Sequence, residues 1–383
     1  MKILLNGLSI VYPISGVGQY TLQLAKGLED LLGPGNISWF GKKTAQNSPA
    51  PSHNTNSLFA DQVRYILKNQ LRKIPGLTTA VHEWRNLRFK SYVRQIKPSL
   101  YHETKYVPFH FDQGPTLVTI YDLSFVRHPE WHPADRVKYF ERYCLKKLPQ
   151  ADAILTISEF SKREIMGLLN LPPDKITVTL LGVDRIFTPG RQRVPGLPER
   201  YILSLGNLEP RKNLPVLVHA YASLPGDLQE RYPLVIAGAK AWHHHELNST
   251  LSSLERKGKI ILTGYIPQGV LPNLYKNASL FVYPSLYEGF GLPVLEAMAS
   301  GVPVITSNTT SLPEVVGDAG LLVDPQSIDA LREGMSRLLA DDTLRKDISE
   351  KGLERARFFS WEKCSRETLA VYDRVLGPAG QSS

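Results

Sequence analysis

Residues 280–299 read LFVYPSLYEGFGLPVLEAMA. The apolar start predicts a short buried strand. The apolar spacing of the second half predicts a helix, and Pro293 in its first turn leaves no hydrogen bond unmade. Gly289 and Gly291 permit a tight turn that a ligand can approach closely. The backbone N–H groups at the start of this helix should face the carboxyl end of a sheet, where they suit a diphosphate.

Two carboxylates flank the start of this helix. Glu288 lies on the loop, and Glu296 lies about one turn into the helix. A carboxylate accepts hydrogen bonds from both hydroxyls of a vicinal diol, which occurs in sugar rings and in ribose. The alternative is that Glu296 forms a surface cap or salt bridge, but this does not account for the glycines, the proline and the strand. We therefore predict a site for hydroxyl groups beside the anion site.

A second stretch, residues 205–214, repeats the strand, loop and helix pattern with the sequence LGNLEPRKNL. Asn213 is predicted to cap the helix. Arg211 offers a planar fork for phosphate oxygens, and Lys212 offers a compact charge. Together they would neutralise a diphosphate without a metal, whereas the alternative is a solvated basic turn.

Short apolar segments alternate with helical patterns, such as residues 20–32 and 136–148, along almost the whole chain. The alternation predicts parallel sheets that are covered on both faces. It starts again after a segment rich in Pro, Gly and Arg, so we predict two doubly wound α/β domains. The predicted strands are Ile3 to Ile10, Ile37 to Phe40, Leu117 to Tyr121, Ala153 to Ile157, Ile176 to Leu181, Tyr201 to Leu205, Leu234 to Ala237, Ile260 to Leu262, Leu280 to Tyr283, Val304 to Thr306 and Leu321 to Val323.

The composition is that of an ordinary globular protein, with 42% apolar and 21% charged residues. Cys144 and Cys364 give no disulfide framework, which is typical of a reducing cytoplasm. No apolar run is long enough for a membrane span, and the first residues indicate a buried strand rather than a signal peptide. The 45 Lys and Arg against 36 Asp and Glu favour anionic partners without choosing among phosphates, nucleic acid and membranes.

The segment 61–97 is strongly basic, with nine Lys and Arg against Asp61 and Glu83 and with apolar residues interleaved. It predicts one or two basic amphipathic helices. Two interpretations remain open, a solvated helix face and docking to an anionic membrane surface.

Other motifs are incomplete. The loop Gly16-Val17-Gly18 lacks the third glycine of the dinucleotide fingerprint, and no P-loop sequence occurs. The adjacent histidines at 243–245 point in different directions, which favours a solvated loop over a metal site. We therefore predict no bound metal.

These segments, taken in order, resemble glycosyltransferase family 4, the retaining glycosyltransferases of GT-B fold, and within it the bacterial mannosyltransferase-like members. The resemblance covers nearly the whole chain, and its most specific part is the Glu288 block together with Arg211 and Lys212. The matching segments are residues 16–18 (GVG), 119–125 (TIYDLSF), 156–161 (TISEFS), 206–213, 288–296 and 311–314 (SLPE).

The resemblance implies an α/β protein of GT-B fold, with two doubly wound Rossmann-like domains facing across a cleft and a C-terminal helix returning to the N-terminal domain. Ser360 is the expected N-cap of that helix. The implied divisions are an acceptor-binding domain at 1–187, a linker at 188–199, a nucleotide-sugar-binding domain at 200–357, the returning helix at 358–376 and a tail at 377–383.

The resemblance also implies roles for individual residues. Arg211 and Lys212 would bind the donor diphosphate, Glu288 would contact hydroxyls of the donor sugar, and Glu296 would hold the ribose diol. Tyr121 completes the implied catalytic set. The implied donor-binding residues are Gly16, Gly18, Gly206, Asn207, Tyr265, Ile266, Phe290, Gly291, Leu292 and Glu296.

The chain departs from the family at Tyr121, where similar sequences carry His before Asp122-Leu123. A tyrosine donates a hydrogen bond, but it does not shuttle a proton near neutral pH as a histidine does. His102 and His128 are candidates for that role, although a structural role fits each of them better.

We expect a cytoplasmic, retaining hexosyltransferase that moves mannose from GDP-mannose to a saccharide or lipid-linked acceptor in cell-surface polysaccharide biosynthesis. It would need no cofactor, metal or nucleic acid, and segment 61–97 would lie on the inner face of the cytoplasmic membrane. Since no nucleophile is evident, front-face attack by the acceptor is favoured. The open alternatives are a UDP-sugar-dependent enzyme of the same fold, a non-catalytic sugar-nucleotide-binding protein, and a phosphorylase-like or epimerase enzyme.

Overall fold

The computed structural model describes residues 1–11, 14–41, 77–190, 192–206, 209–238, 248–267 and 269–377. The chain divides into two compact units. The first comprises Met1–Thr156, Lys162–Thr179 and Cys364–Ser383, and the second comprises Ile157–Ser161 and Leu180–Lys363. The chain thus leaves the first unit after Thr179, whereas the sequence pattern places the change at the linker 188–199.

The first unit contains a parallel sheet of six strands in the order β2-β1-β3-β4-β5-β6. The sequence pattern missed β3, because its Tyr-His-Glu end is polar, although all four of its residues are buried. The strands are β1 Ile3–Asn6, β2 Ile37–Phe40, β3 Leu100–Glu103, β4 Thr116–Ile120, β5 Ala153–Thr156 and β6 Ile176–Val178.

Helices flank this sheet. Their core-facing side chains include the buried Phe89 and Val93, which pack with Phe40, and Phe140, which packs with Ile120. The π-helical turn Glu141–Leu145 follows the fourth helix. The helices are α1 Gly16–Leu32, α2 Leu77–Ile96, α3 Ser124–Arg127, α4 Ala134–Phe140 and α5 Glu159–Leu169.

The second unit contains a parallel sheet of six strands in the order β12-β11-β10-β7-β8-β9. Because β10 returns to the far side of β7 after β9, the loops that follow β7 and β10 lie side by side at a topological switch point. The strands are β7 Tyr201–Leu205, β8 Leu234–Ala237, β9 Ile260–Gly264, β10 Ala278–Tyr283, β11 Val304–Ser307 and β12 Leu321–Val323.

One apolar core packs one face of this second sheet against its helices, and it includes Leu217, Tyr221 and Leu338. The helices of this unit are α6 Leu214–Ala222, α7 Gly226–Arg231, α8 Asn248–Arg256, α9 Leu271–Lys276, α10 Leu292–Ala299, α11 Leu312–Val316, α12 Ile328–Ala340 and α13 Asp342–Ala356.

The C-terminal helix α14, Trp361–Leu376, returns to the first unit from Cys364 onward. There the hydroxyl of Tyr372 lies 2.6 Å from Nδ1 of His102. The Ser360 hydroxyl accepts the N–H of Lys363 at 3.1 Å, as expected of an N-cap. The expectation of two doubly wound units with a returning helix is therefore confirmed. No helix among the described residues is long and apolar enough to cross a membrane.

Candidate functional site

The candidate site lies at the switch point of the second sheet, where two loops meet. The loop after β7 carries Arg211 and Lys212, and the loop after β10 carries Glu288. The backbone N–H of Leu286 donates to the carbonyl of Arg211 at 2.8 Å, which holds the two loops together. The structure thus brings Glu288 to Arg211 and Lys212, which precede it by 77 and 76 residues in the sequence.

Glu288 is the centre of a charged network. Its Oε2 lies 2.8 Å from Nη1 of Arg211, and its Oε1 lies 2.5 Å from Nζ of Lys212. The hydroxyl of Tyr283, at the end of β10, donates to the same Oε1 at 2.9 Å. On its other side Arg211 donates through Nε to Oε2 of Glu209 at 2.8 Å. The guanidinium is therefore held between two carboxylates.

Burial and charge set the protonation of this network. Burial raises the pKa of Glu288, but Arg211 and Lys212 outweigh that effect and lower it to about 2. Burial, with Arg211 beside it, lowers the pKa of Lys212 to about 8, although Glu288 opposes the change. At neutral pH the carboxylate is ionised and the ammonium is largely protonated. Arg211 and Lys212 can therefore present charged N–H donors to a phosphate.

Gly291 shapes the loop that leads into α10. Its φ of 116° is unfavourable for other residues, and an added Cβ would lie 2.7 Å from Cδ2 of Leu312. The described residues supply no hydrogen-bond partner for the N–H groups of Gly291 and Leu292. Phe290 is buried, and its carbonyl accepts the Ser311 hydroxyl at 3.0 Å. This helix start is therefore suited to an anion.

Glu296 is separate from the charged network. It is half-buried in α10, and its Oε2 accepts the hydroxyl of Tyr275 at 2.9 Å. Burial raises its pKa to about 8, the Tyr275 hydrogen bond opposes the rise, and Asp184 adds to it. This carboxyl therefore keeps its proton to a higher pH than usual, and in that form it can both donate to and accept from hydroxyls.

The remaining donor-site predictions for the second unit lie at the same sheet edge. Gly206 follows β7 with φ 145°, and an added Cβ would lie 3.2 Å from Cε of Lys212. Tyr265, which is exposed, and Ile266 follow β9. Asn207 lies outside the described residues. The donor-binding roles of all four stay predictions.

The first unit holds the other predicted residues. Gly16 begins α1, and Gly18 packs so closely that an added Cβ would lie 2.8 Å from the carbonyl oxygen of Ser9. The buried Tyr121 donates its hydroxyl to the carbonyl of Thr104 at 2.7 Å. Burial raises the pKa of Tyr121 well above its usual range. Its hydroxyl proton is thus engaged with backbone, and its catalytic role stays a prediction.

The histidine candidates are bonded within the first unit. Both ring nitrogens of the buried His102 have partners, Nε2 with Thr119 at 2.7 Å and Nδ1 with Tyr372, and burial lowers its pKa to about 3. Nδ1 of His128 lies 3.2 Å from Glu130. The histidines at 243–245 lie outside the described residues. Within the part of the chain that the structure describes, no three His, Cys, Asp or Glu residues are grouped to hold a metal.

Sequence reasoning was wrong about Asn213 and overlooked two partners of the site. Asn213 adopts a left-handed conformation, φ 55°, and its side chain donates to the carbonyl of Pro325 at 2.6 Å instead of capping α6. Tyr283 was interpreted only as the end of an apolar strand, although its hydroxyl group at that position indicated a hydrogen-bond partner for the site. Glu209 was overlooked because its pairing with Arg211 depends on the loop conformation.

Two family models match the chain. The model described as Glycosyltransferase Family 4 matches residues 14–187, and the model described as Glycosyl transferases group 1 matches residues 191–355. O-antigen chain mannosyltransferase B of Escherichia coli is 38% identical over 383 residues, which cover 97% of this chain and 99% of that protein.

A longer relative and a solved structure add to the comparison. Serotype-specific mannosyltransferase WbdA of Escherichia coli is 34% identical over 277 residues, which are 68% of this chain but 34% of that protein. Sucrose-phosphate synthase from Thermosynechococcus elongatus superposes with a TM-score of 0.71 at 21% identity, covering 97% of this chain and 98% of that structure. At such identity the likeness shows the fold alone.

Proposed function

We propose, from the premise that the chain belongs to the family 4 glycosyltransferases, that it transfers mannose from GDP-mannose to a saccharide acceptor with retention at the anomeric carbon. The premise rests on a relative that is 38% identical over nearly the full length, and on family models that match residues 14–187 and 191–355. The chain is thus a glycosyltransferase of polysaccharide biosynthesis. Its donor, stereochemistry and acceptor are what we propose.

The cluster of Arg211, Lys212 and Glu288 carries the proposal. Loss of a nucleoside diphosphate from the anomeric carbon builds negative charge on the leaving phosphate. Two cations beside the start of α10 would stabilise this charge, an effect worth several kcal/mol in preorganised sites. Glu288 fixes both cations before the donor arrives, at 2.8 and 2.5 Å, so that little reorganisation is needed.

Metal independence follows from the same cluster. A diphosphate needs countercharge, and Arg211 and Lys212 supply two positive charges at the sheet edge. We therefore propose that full activity persists in EDTA. Loss of activity in EDTA that is restored by Mg²⁺ would contradict this part.

The donor assignment is tested by turnover. Purified protein is incubated with octyl α-mannoside and GDP-mannose, UDP-glucose or UDP-galactose, and the released nucleoside diphosphate is measured. Arg211→Ala should lower kcat/KM for GDP-mannose by about 10²- to 10³-fold. Arg332→Ala, at an exposed ion pair of the same unit, is the control and should leave kcat/KM unchanged. Turnover of a UDP-sugar but not of GDP-mannose would replace the proposal by the UDP-sugar-dependent alternative. No turnover of any donor, with the nucleoside diphosphate still bound, would replace it by the non-catalytic alternative.

Retention is tested on the product. Front-face attack, with the leaving phosphate taking the acceptor proton, requires no enzyme nucleophile and yields an α-linked mannoside. The anomeric one-bond C–H coupling constant of the product distinguishes α from β. A β-linked product, or a covalent mannosyl-enzyme seen by mass spectrometry, would overturn this mechanism.

We further propose that α2 docks on an anionic membrane surface on the cytoplasmic side. Its outer face exposes 54% of Trp84 and 67% of Leu87 beside the exposed Arg85 and Arg88. The Arg88 guanidinium lies 4.9 Å from the Trp84 ring, so that charge and apolar area share one surface. The predicted part at 61–76 lies outside the described residues. We assign no nucleic-acid partner, because no recognition motif accompanies the charge.

Vesicle sedimentation tests the docking. The protein should bind vesicles that contain phosphatidylglycerol, bind phosphatidylcholine vesicles weakly, and lose binding in high salt. Trp84→Ala should weaken binding several-fold, whereas Phe358→Ala, which removes an exposed aromatic ring of the second unit, should not. Equal binding of both vesicle types would count against the electrostatic part.

A further inference from the structure

The first sheet has a topological switch point of its own. The order β2-β1-β3 places the loops after β1 and β3 side by side. Thr104 donates its hydroxyl to the carbonyl of Asn6 at 2.7 Å, and Lys105 donates through Nζ to the carbonyl of Leu8 at 3.2 Å. Ligands of parallel α/β sheets bind at such positions. The loops at this position are therefore candidates for binding a substrate.

The loop after β3 contains a strained turn. Tyr106 has φ 69°, which is rare for an aromatic residue, and the N–H of Val107 donates to the carbonyl of Lys105 at 2.8 Å. The buried Glu103 accepts the N–H of Lys105 at 2.6 Å and the hydroxyl of Tyr101 at 2.5 Å. Strain of this kind persists only where the surroundings enforce it, and it is concentrated at functional sites.

The strained turn places Tyr106 in a set of aromatic rings. Its ring contacts Tyr121 edge-on with centroids 5.3 Å apart, and it contacts Phe125 at 6.2 Å. Phe125 stacks on the His132 ring, with centroids 4.0 Å apart and planes 24° apart. Tyr106, Phe125 and His132 are each half-buried. Phe125 also stacks on Phe140, with centroids 5.0 Å apart and planes 17° apart, so it supports the His132 ring from below.

A polar chain runs beside these rings. The Ser124 hydroxyl donates to Oδ1 of Asp122 at 2.7 Å, and its oxygen lies 3.0 Å from Nε2 of His132. Because the only hydroxyl proton of Ser124 goes to Asp122, Nε2 of His132 must carry the proton that it donates to Ser124. Oδ2 of Asp122 has no hydrogen bond from the residues that the structure describes. It can accept a hydroxyl of a ligand.

We propose that Tyr106, His132 and Asp122, with Phe125 supporting the His132 ring, form the subsite for the pyranose ring of the saccharide acceptor. The C–H face of a pyranose packs on aromatic rings, while its hydroxyls need acceptors such as Oδ2 of Asp122. The assignment rests on the proposed function for the identity of the saccharide.

Binding without donor tests the subsite directly. Saturation-transfer-difference NMR is recorded with α-1,3-mannobiose, at millimolar concentration, on the wild type and three variants. Tyr106→Gly removes the ring but accepts the positive φ, and His132→Gln removes the stacked ring but keeps a donor to Ser124. Both should lose the mannobiose signal. Phe358→Ala is the control, because it removes an exposed ring far along the chain, and it should keep the signal.

Kinetics separates this subsite from the donor assignment. In Tyr106→Gly and His132→Gln the KM for octyl α-mannoside should rise about tenfold, more than the KM for GDP-mannose. In Phe358→Ala both KM values and the hydrolysis of GDP-mannose without acceptor should stay within twofold of wild type. Unchanged acceptor KM, or no mannobiose signal in the wild type, would overturn the subsite. Absence of any GDP-mannose turnover in the wild type would instead refute the donor assignment, and the mannobiose signal would still decide the subsite.

Discussion

The substitution Glu288→Gln tests how strongly the charged network at the switch point of the second sheet stabilises the protein. Glutamine has nearly the same shape as glutamate but no charge. It leaves Arg211 and Lys212 without the carboxylate that they contact at 2.8 and 2.5 Å. Because Glu288 is only 7% exposed, water cannot replace that charge well.

The pKa of Glu288 sets the magnitude. A carboxyl whose pKa is 4.5 in the unfolded chain and about 2 in the folded protein contributes about 3 kcal/mol to stability at neutral pH. Because the folded-state pKa is the lower one, this stability is complete above pH 4.5 and is lost as pH falls toward 2. The difference in unfolding free energy between wild type and Glu288→Gln should therefore shrink from about 3 kcal/mol at pH 7 to about half of that or less at pH 3.

Urea titrations followed by hydrogen exchange of peptides from β7 and β10 measure the stability of the second unit itself. Glu209→Gln is the matched control, because it makes the same change in the other carboxylate that contacts Arg211. The Glu209 side chain is 31% exposed, so the control should lose less than about 1 kcal/mol at pH 7. A stability difference for Glu288→Gln that is below 1 kcal/mol at pH 7, or that stays constant down to pH 3, would refute the reasoning.

Three further changes have defined outcomes. The raised pKa of Glu296, about 8 against an ordinary 4.5, means that stability falls as pH rises through this window. Glu296→Gln should therefore remove the fall, seen as melting temperatures that match wild type at pH 4 and exceed it at pH 9. Gly182→Ala would overlap the backbone of Trp361 and should destabilise by about 1–3 kcal/mol, whereas Gly226→Ala, with open space, should change the melting temperature little. Glu314→Ala removes the carboxylate that accepts the first two N–H groups of α5 at 2.8 and 2.6 Å, and urea unfolding should show a loss of about 1–2 kcal/mol; an unchanged midpoint would exclude that cap.

The fold was largely readable from apolar runs. The predicted bounds of β7, β8 and β12 coincide with those in the structure, because short apolar segments between helices suit strands that are buried on both faces. The strand β3 was missed because its polar end is buried with partners that come from elsewhere in the chain. Tyr101 and His102 are both fully buried, each with its polar atoms paired. Local hydrophobicity cannot indicate such pairing.

The sequence predicted the residue types of the candidate site but not their spatial arrangement. Glycines, a proline and adjacent cations after two strands indicated an anion site, and the structure does bring Arg211, Lys212 and Glu288 into one network. It also assigns Glu296 to Tyr275 and turns the Tyr121 hydroxyl toward the Thr104 backbone. The sequence pattern did not distinguish the residues that share the charged network from Glu296 and Tyr121, which have other partners.

The sequence by itself determined the two alternating α/β units and which loops carry charge, because strand and helix periodicity and loop composition are local properties. Tertiary structure alone decided that Glu288 contacts both cations, that burial raises the pKa of Glu296, and that Tyr106 takes a strained backbone conformation among aromatic rings. Each of these depends on distances between segments remote in the chain, and on the burial that strengthens charge interactions once water is removed.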